Sequence, residues 1–433
     1  MLHLNEAYDL AEDCLIEWIE NKPRNWRVLV VKDVLATIRV ILWCSKDQWE
    51  PSSNEIDRKL SETCADYWSK TVLPARLGRH PANAWQEDAW RQARRHGRTD
   101  KLRVLEKHLT KSGWFEAPSN PPWKTSDRDA SIVLFYSFKG GVGRSTALAA
   151  SALHLASVGD RVAVIDADLD APSIGSLLAG HDRSTAQWGV VDYLLERNVL
   201  KETELPTEDY HHRFVAPSGV GGEDVFVYPA GTFDGAYVDK LARIDYGNPV
   251  AGTLHPFVAL LQQIRRELAP RWILVDSRAG LGEVSGFLTG GLCHLHVLLG
   301  TLAEASWRGL ELILERLGGD RIREGKAQAE CLLAASMVPR SDESLFQTLV
   351  SRFTERARDA FSAHYYAEPG EAPDELWTLS DLESDDAPHV PVVLPYEERL
   401  ATFRDLSDVA EGVLLREGPY RDLAGRLRSS LSL

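Results

Sequence analysis

The sequence predicts an α/β protein: a mostly parallel sheet covered by helices on both faces, preceded by an N-terminal all-α domain. Three observations carry that reading. At residues 131–156 an apolar run, Ile132 to Tyr136, leads into a glycine-rich loop and then an Ala/Leu-rich helix. Two further apolar runs end in the carboxylates Asp166 and Asp276, as strands do at the ligand-binding end of such a sheet. Apolar runs then alternate with helical periodicity as far as residue 414, the order that builds a parallel sheet with helices on both faces.

The first 115 residues read differently. Leu4–Ile19 has helical spacing, Val28–Trp43 reads as an apolar helix or buried segment, and Asn54–Lys70 places Ile56, Leu60, Cys64 and Trp68 four apart. Pro81–His96 and Thr99–Leu109 read as two more helices split by Gly97. Nine of the 13 tryptophans fall before residue 125; indoles of this number are chiefly core residues, with an aromatic partner-binding surface as the sharper alternative. Arg91, Arg94, Arg95, Arg98, Lys101, Arg103, Lys107 and Lys111 form a basic block opposed only by Asp100 and Glu106. Its plain reading is a solvated helix face; nucleic acid, a phosphorylated ligand or an acidic partner is the alternative. Glu116–Asp129, rich in Pro, Ser and Asp, reads as a linker.

Lys139-Gly140-Gly141-Val142-Gly143-Arg144-Ser145-Thr146 follows the first strand of the second domain. Between a strand and a helix, glycines let backbone N–H groups converge on an anion, and the helix N-terminus adds its positive end. The strand Arg161–Ile165 ends in Asp166-Ala167-Asp168-Leu169-Asp170, acids that need a cation nearby. Trp272–Val275 leads to Asp276-Ser277-Arg278-Ala279-Gly280, an Asp with Gly four positions on. Arg278 reads equally as a phosphate-sensing group or a partner for local acids. Later elements are a short helix Val190–Glu196, strand Val225–Pro229, helix Thr253–Leu268, strand Leu295–Leu299, helix Ala303–Leu317, strand Cys331–Ala335, helix Glu343–Phe361, strand Val390–Leu394 and helix Glu397–Leu414. Gly219–Asp224 lacks the strand–loop–helix frame and reads as a loop, and Ala367–Asp386 as an exposed acidic excursion. In the tail, residues 416–433, Leu423, Leu427 and Leu431 make a stripe that reads as docking on the protein's own surface rather than on a membrane.

Composition narrows the classes. The net charge of −15 is uneven: residues 1–125 hold 20 Lys/Arg against 18 Asp/Glu, the remainder 29 against 46. An acidic second domain disfavours non-specific DNA binding by that domain. Five scattered cysteines without a C-x-x-C pair argue for reduced thiols in a cytoplasmic protein, and an acidic N-terminal stretch does not read as a signal peptide. No apolar run reaches the roughly 18 residues of a membrane span.

The glycine loop resembles the deviant Walker A loop of the MinD/ParA class of P-loop ATPases. FYSFKGGVGRS is most similar to the KGGVGR branch, common in large bacterial signalling and defence-type proteins, antiviral defence among them. The resemblance spans about residues 130–415. It implies ATP and Mg²⁺ as cofactors and a homodimer formed on ATP binding. Lys139 matches the signature lysine that reaches a second subunit's phosphates. Arg144 stands where the class has its P-loop lysine, a planar fork in place of a compact ammonium. The resemblance further implies that Gly140, Gly141, Val142, Gly143, Arg144, Ser145 and Thr146 hold the nucleotide. Ser145, Asp166 and Asp276 would hold the metal, Asp168 would orient water, and the backbone of Gly280 would approach the γ-phosphate. The loops at Met337–Arg340 and Pro395-Tyr396 match the adenine position. Lys139, Asp168 and Arg144 are then the catalytic set for slow ATP hydrolysis, and residues 1–115 pass the nucleotide state to a protein partner. A nucleotide-sensing scaffold with little turnover, and a nucleic-acid-dependent ATPase acting through the basic block, are the alternatives.

Overall fold

The computed structural model describes residues 2–77, 83–108, 111–115, 120–126, 129–179, 186–200, 205–215, 222–246, 254–324, 330–369, 376–401, 406 and 418–431. The chain divides into two compact units, Met1–Thr110 and Lys111–Leu433.

The first unit is not all-α. Helices α1 (Leu4–Glu20), α2 (Trp49–Cys64) and α3 (Ala84–Gln92) accompany strands β1 (Arg27–Lys32), β2 (Ile38–Cys44), β3 (Trp68–Arg76), β4 (Arg94–His96) and β5 (Thr99–Glu106). The strands form one sheet in the order β3-β2-β1-β5-β4. The run Val28–Trp43 is therefore a hairpin, β1 pairing antiparallel with β2. Its residues are rich in Val and Ile, whose branched Cβ suits a pleated surface. The turn is made by Asp33, whose carboxylate accepts from the N–H groups of Leu35 and Thr37 at 2.9 and 3.0 Å, with Ala36 at φ 63°. The expected helix Asn54–Lys70 ends at Cys64, and Trp68 opens β3; the expected helix Thr99–Leu109 is strand β5, where Leu102 and Val104 face the core between Lys101 and Arg103. The tryptophans follow the core reading: Trp18, Trp26, Trp43, Trp68 and Trp90 are buried, and Trp43 is wedged by the Trp90 ring at 5.5 Å and the Arg27 guanidinium at 4.8 Å. Trp85 alone among them is mostly exposed.

The basic block is not a helix face. Arg94 pairs with Glu12 (3.4 Å), Arg98 with Asp13 (3.2 Å) and Arg91 with Asp88 (3.3 Å). Lys101 Nζ donates to the carbonyls of Ile19, Glu20 and Lys22 at the end of α1, and Arg103 donates to Trp90 O at 2.7 Å and lies over its ring. Lys111 belongs to the second unit.

The second unit is the expected α/β architecture. Eight strands run in the order β13-β12-β11-β6-β10-β7-β9-β8: β6 (Ser131–Ser137), β7 (Val162–Ala167), β8 (His212–Phe214), β9 (Val225–Tyr228), β10 (Trp272–Ser277), β11 (Leu295–Gly300), β12 (Glu330–Val338) and β13 (Val392–Pro395). All neighbours are parallel except β8 on β9. Between them lie α4 (Ser112–Phe115), α5 (Arg144–Ser157), α6 (Ile174–Leu177), α7 (Val190–Val199), α8 (Tyr237–Leu241), α9 (Pro256–Leu268), α10 (Glu283–Thr289), α11 (Glu304–Glu324), α12 (Glu343–His364), α13 (Glu398–Ala401) and α14 (Pro419–Ser430). Period-two alternation splits β6 between two apolar layers: Ile132, Leu134 and Tyr136 join α7, α9, α11 and α12, while Val133 and Phe135 join α5 and α14. The sheet is thus covered on both faces.

The stretch Glu116–Asp129 is not a free linker where it is described: Trp123 is buried, donates to Ala130 O at 2.6 Å, and its carbonyl accepts from His294 Nε2 at 2.8 Å. The tail helix α14 buries Leu423 and Leu427 in the layer shared with α5, as the docking reading expects. The expected helix Glu397–Leu414 lies largely outside the described residues, and of the loop Gly219–Asp224 only residues 222–224 are described.

Burial holds His255 and His296 neutral, lowering each to about 4. The unfolded chain binds those two protons near pH 6.5 and the folded chain near pH 4, so their contribution is present at neutral pH and is lost as pH falls through that window. Urea unfolding at stepped pH values should therefore lose up to roughly 1.4 kcal/mol per pH unit per histidine between these values, and His296→Leu should remove one histidine's share of the slope.

Candidate functional site

The site is built where the strand order reverses. β6 lies between β10 and β11, and the crevice beyond the C-terminal ends of these strands is where open α/β sheets bind ligands. Gly143, at φ 77°, turns the chain into α5, and Gly141 has φ 73°. A Cβ placed on Gly140 or Gly141 would meet no atom within 4 Å, so the concave side of the loop is open and its backbone accessible to an anion. The loop is pinned from below: Ser137 Oγ donates to Lys139 O at 2.9 Å, and Ser336 Oγ, from β12, donates to Val142 O at 2.5 Å. Lys139 itself is exposed, its ammonium 5.5 Å from the Phe138 ring. Thr146 is half-buried at the head of α5.

Strand register assembles the carboxylates. Asp276 on β10 stands directly beside Asp166 on β7, and both are fully buried. Ser145 Oγ donates to Asp276 Oδ2 at 2.6 Å, and Ser173 Oγ donates to Ser145 Oγ at 2.9 Å. Asp166 Oδ2 accepts from the backbone N–H groups of Ser173 and Ile174 at 3.0 and 3.1 Å. Arg144 does not face the open loop. Its Nε donates to Asp276 Oδ1 at 2.6 Å and its Nη2 to Asp168 Oδ2 at 2.7 Å, and it is 8% exposed. Burial alone would lower the Arg144 pKa, but Asp276 and Asp168 outweigh it, and the guanidinium stays charged. Burial, followed by the charges of Asp276 and Asp168, pushes Asp166 up to about 8.

Ser145, Asp276 and Asp166 offer only oxygen, the donor chemistry of a hard cation carried by a nucleotide. Among the described residues no three His, Cys, Asp or Glu form a ready-made metal cage, so such a cation would complete its shell with phosphate and water. The five cysteines are free, and four of them are buried.

A second loop closes the site. Gly280 (φ 73°) donates its N–H to Ser137 O at 3.1 Å, and Tyr136 Oη donates to Gly280 O at 3.1 Å. Arg278 pairs with Asp170, which favours the local-acid reading of that arginine. The far side of the loop carries residues 111–115. Lys111 N donates to Glu283 Oε1 at 2.9 Å and Lys111 Nζ to Leu281 O; Trp114 Nε1 donates to Gly282 O at 2.7 Å. Arg316 donates to Gly113 O at 2.7 Å and lies over the Trp114 ring. The helices approach so closely that a Cβ on Gly286 would stand 2.5 Å from the Trp114 ring.

The structure thus brings Gly140–Thr146, Asp166, Asp168, Asp276 and Gly280 to one crevice. Met337 lies one residue before the end of β12 and Pro395 ends the adjacent β13, where Tyr396 N donates to Val338 O at 2.8 Å. Sequence reasoning missed Ser173, Ser336 and the segment Lys111–Trp114. Only Ser173, seven residues after Asp166 in a turn-forming Ala-Pro-Ser, left a trace in the sequence.

A strand, an open glycine loop, a helix headed by Ser145, and a buried strand-end aspartate define a P-loop NTPase site. Residues 129–196 match the family model described as ParA, NUBPL iron-transfer P-loop NTPase. A cytosolic Fe-S cluster assembly factor NUBP2 homolog of Trichoplax adhaerens is 42% identical over 64 residues, 15% of this chain and 24% of that protein. The chloroplastic Fe-S cluster assembly factor HCF101 of Arabidopsis thaliana is 37% identical over 81 residues, 19% and 13% respectively. The chain spans about a quarter or less of the length of these curated relatives. Among solved structures, pNOB8 ParA bound to nonspecific DNA matches at TM-score 0.43 and 14% identity, covering 70% of this chain and 99% of that one. A chain of the MinC:MinD cell division protein complex of Aquifex aeolicus matches at 0.42 and 18%, covering 69% of this chain and 96% of that one.

If the loop cradles phosphate, Gly141→Val fills the space where backbone must meet the anion, and its positive φ adds strain. Calorimetry should find ATP binding abolished in a variant whose circular dichroism matches the parent.

Proposed function

We propose that this protein is an ATP-dependent dimerising switch that passes its nucleotide state, through residues 111–115, to the N-terminal unit and from there to a protein partner. The observation that carries the proposal is the loop Arg278–Glu283. One side of it is tied to the phosphate-loop strand through Gly280, and the other to Lys111 and Trp114. Chain entering the second unit from residue 110 therefore rests on the loop whose backbone lies nearest a γ-phosphate in this class.

The chemistry assigned to each residue follows from its place. Backbone N–H groups of Gly140–Thr146 bind the phosphates. Ser145 and Asp276 would hold Mg²⁺, with Asp166 behind them; when bound, the metal neutralises charge on the β- and γ-phosphates. Asp168 orients the attacking water. Lys139, exposed and without a carboxylate partner among the described ion pairs, is free to cross to a second subunit's phosphates. Slow turnover, a cytoplasmic setting and a role in a bacterial signalling or defence-type system follow from the KGGVGR resemblance and the unpaired cysteines. The Fe-S role in the relatives' names is not carried over, because the five cysteines here do not converge. Among the described residues no helix is long and apolar enough to cross a membrane. The nucleic-acid alternative loses support, since most of the basic block is spent on internal partners.

Light scattering with ATP tests the switch. Lys139→Ala should keep ATP affinity within about tenfold, roughly 1.4 kcal/mol, yet lose both dimerisation and phosphate release. Asp168→Ala should stay dimeric with ATP for longer than the parent. Normal dimerisation and hydrolysis by Lys139→Ala would defeat the proposal.

A further inference from the structure

We propose that the first unit carries a docking groove for a protein partner, and that the groove takes a peptide segment presenting one large apolar side chain beside an acidic residue. The inference rests on the reading that the N-terminal unit meets a partner, and it gives that partner a chemistry.

The groove arises from unequal cover on the two faces of the five-stranded sheet. One face is packed by α1 and α2, helices of 17 and 16 residues. The other is packed by α3, which has nine. Nine helical residues rise about 14 Å, whereas five strands span about 19 Å, so α3 leaves part of its face uncovered. Its Trp90 fills the part over Trp43 and Leu29. Beyond that a cavity of about 320 Å³ is floored by Val31, Ile41, Leu73 and Leu105, from four strands, with Trp85 as its wall. Leu73 and Leu105 are only half-buried, and Trp85 is 54% exposed. An open indole beside an apolar pocket is the composition of a binding hot spot, and the volume lies at the small end of ligand pockets, with room for one large side chain.

Charge decides what accompanies that side chain. The acids at the rim are already bonded within the chain. Asp33 accepts from Leu35 N, Thr37 N and the Thr37 hydroxyl, and pairs with Arg39 Nε at 3.0 Å. Asp88 pairs with Arg91 and accepts from Gln92 Nε2 at 3.0 Å. The cations at the rim keep donors to offer. Arg39 meets Asp33 through Nε, and among the described residues neither of its Nη atoms makes a hydrogen bond. Lys107 Nζ has no partner among the described residues. Both side chains line the groove and are exposed, Arg39 level with Val31 on β2 and Lys107 two residues past Leu105. A carboxylate entering beside an apolar anchor would therefore meet the outer edge of a guanidinium and an ammonium, both charge-assisted donors. A basic segment would meet two like charges instead.

The test uses the full chain without nucleotide. A phage-displayed library of short random peptides is selected on the immobilised protein, and the recovered peptides are synthesised with a fluorophore and titrated by fluorescence polarisation. The selected sequences should share a large apolar residue flanked by Asp or Glu. Trp85→Ala and Lys107→Glu should each weaken their binding at least about tenfold. A peptide whose acidic residue is changed to lysine should bind Lys107→Glu more tightly than it binds the parent, an exchange that a merely structural role for Lys107 would not produce. Lys107 is exposed, so Lys107→Glu keeps the test decisive even if Trp85→Ala does not fold. Failure to enrich any sequence, enrichment of sequences without the acid, or unchanged binding to Lys107→Glu would overturn the inference. So would a nucleotide-free dimer that Lys107→Glu dissociates, which would place a second copy of this chain in the groove. Because no nucleotide is present, a chain that binds these peptides yet fails to dimerise on ATP loses the switch reading and keeps the groove.

Discussion

One buried cation holds two strand ends together. Asp168 follows β7, Asp276 ends β10, and the Arg144 guanidinium at the head of α5 bonds both. Two carboxylates this buried are costly without a counter-charge, and removing the partner of a buried charge costs far more than the pair contributes. The head of α5 and the ends of β7 and β10 are therefore tied together at this side chain, with the Ser145 hydroxyl on Asp276 as a second link.

The register of the sheet makes this possible. Pairing of Asp276 with Asp166 across β10 and β7 sets the acids in a row at the crevice, while β6 places the glycine loop beside them. Gly280 then ties the second loop to the phosphate-loop strand, and Trp114 and Lys111 tie it to the chain arriving from residue 110. Each link is a directional hydrogen bond, at 3.1 Å from Gly280 N, 2.9 Å from Lys111 N and 2.7 Å from the Trp114 indole.

Much of the second unit was legible because its signals are local. Gly140–Ser145 requires positive φ and small residues, and buried parallel strands read as apolar runs. The orientation of Arg144 was not legible: a sequence shows that a cation follows the last glycine, not that two acids from other strands lie nearer than the loop it leaves. The first unit was misread for a different reason. β1 and β2 are buried on both faces, so Val28–Val31 and Val40–Leu42 lack alternation, and periodicity alone does not separate them from a helix. Their turn depends on Asp33 and a strained Ala36 instead of a Gly or Pro signal. In β5 the alternation of Lys101, Leu102, Arg103 and Val104 was present, but it was read as charge clustering; as a strand it turns the two cations to the face opposite the two apolar residues.

The central claim is that nucleotide state reaches the segment after residue 110 through the loop Arg278–Glu283. The indole N–H of Trp114 reports on it directly, because its acceptor is Gly282 O at 2.7 Å. In protein labelled with ¹⁵N-tryptophan, with the resonance assigned by Trp114→Phe, the account predicts that Mg²⁺ and a non-hydrolysable ATP analogue move the Trp114 indole signal while Mg²⁺ and ADP leave it near its nucleotide-free position. An unmoved Trp114 resonance at saturating ATP analogue would contradict it.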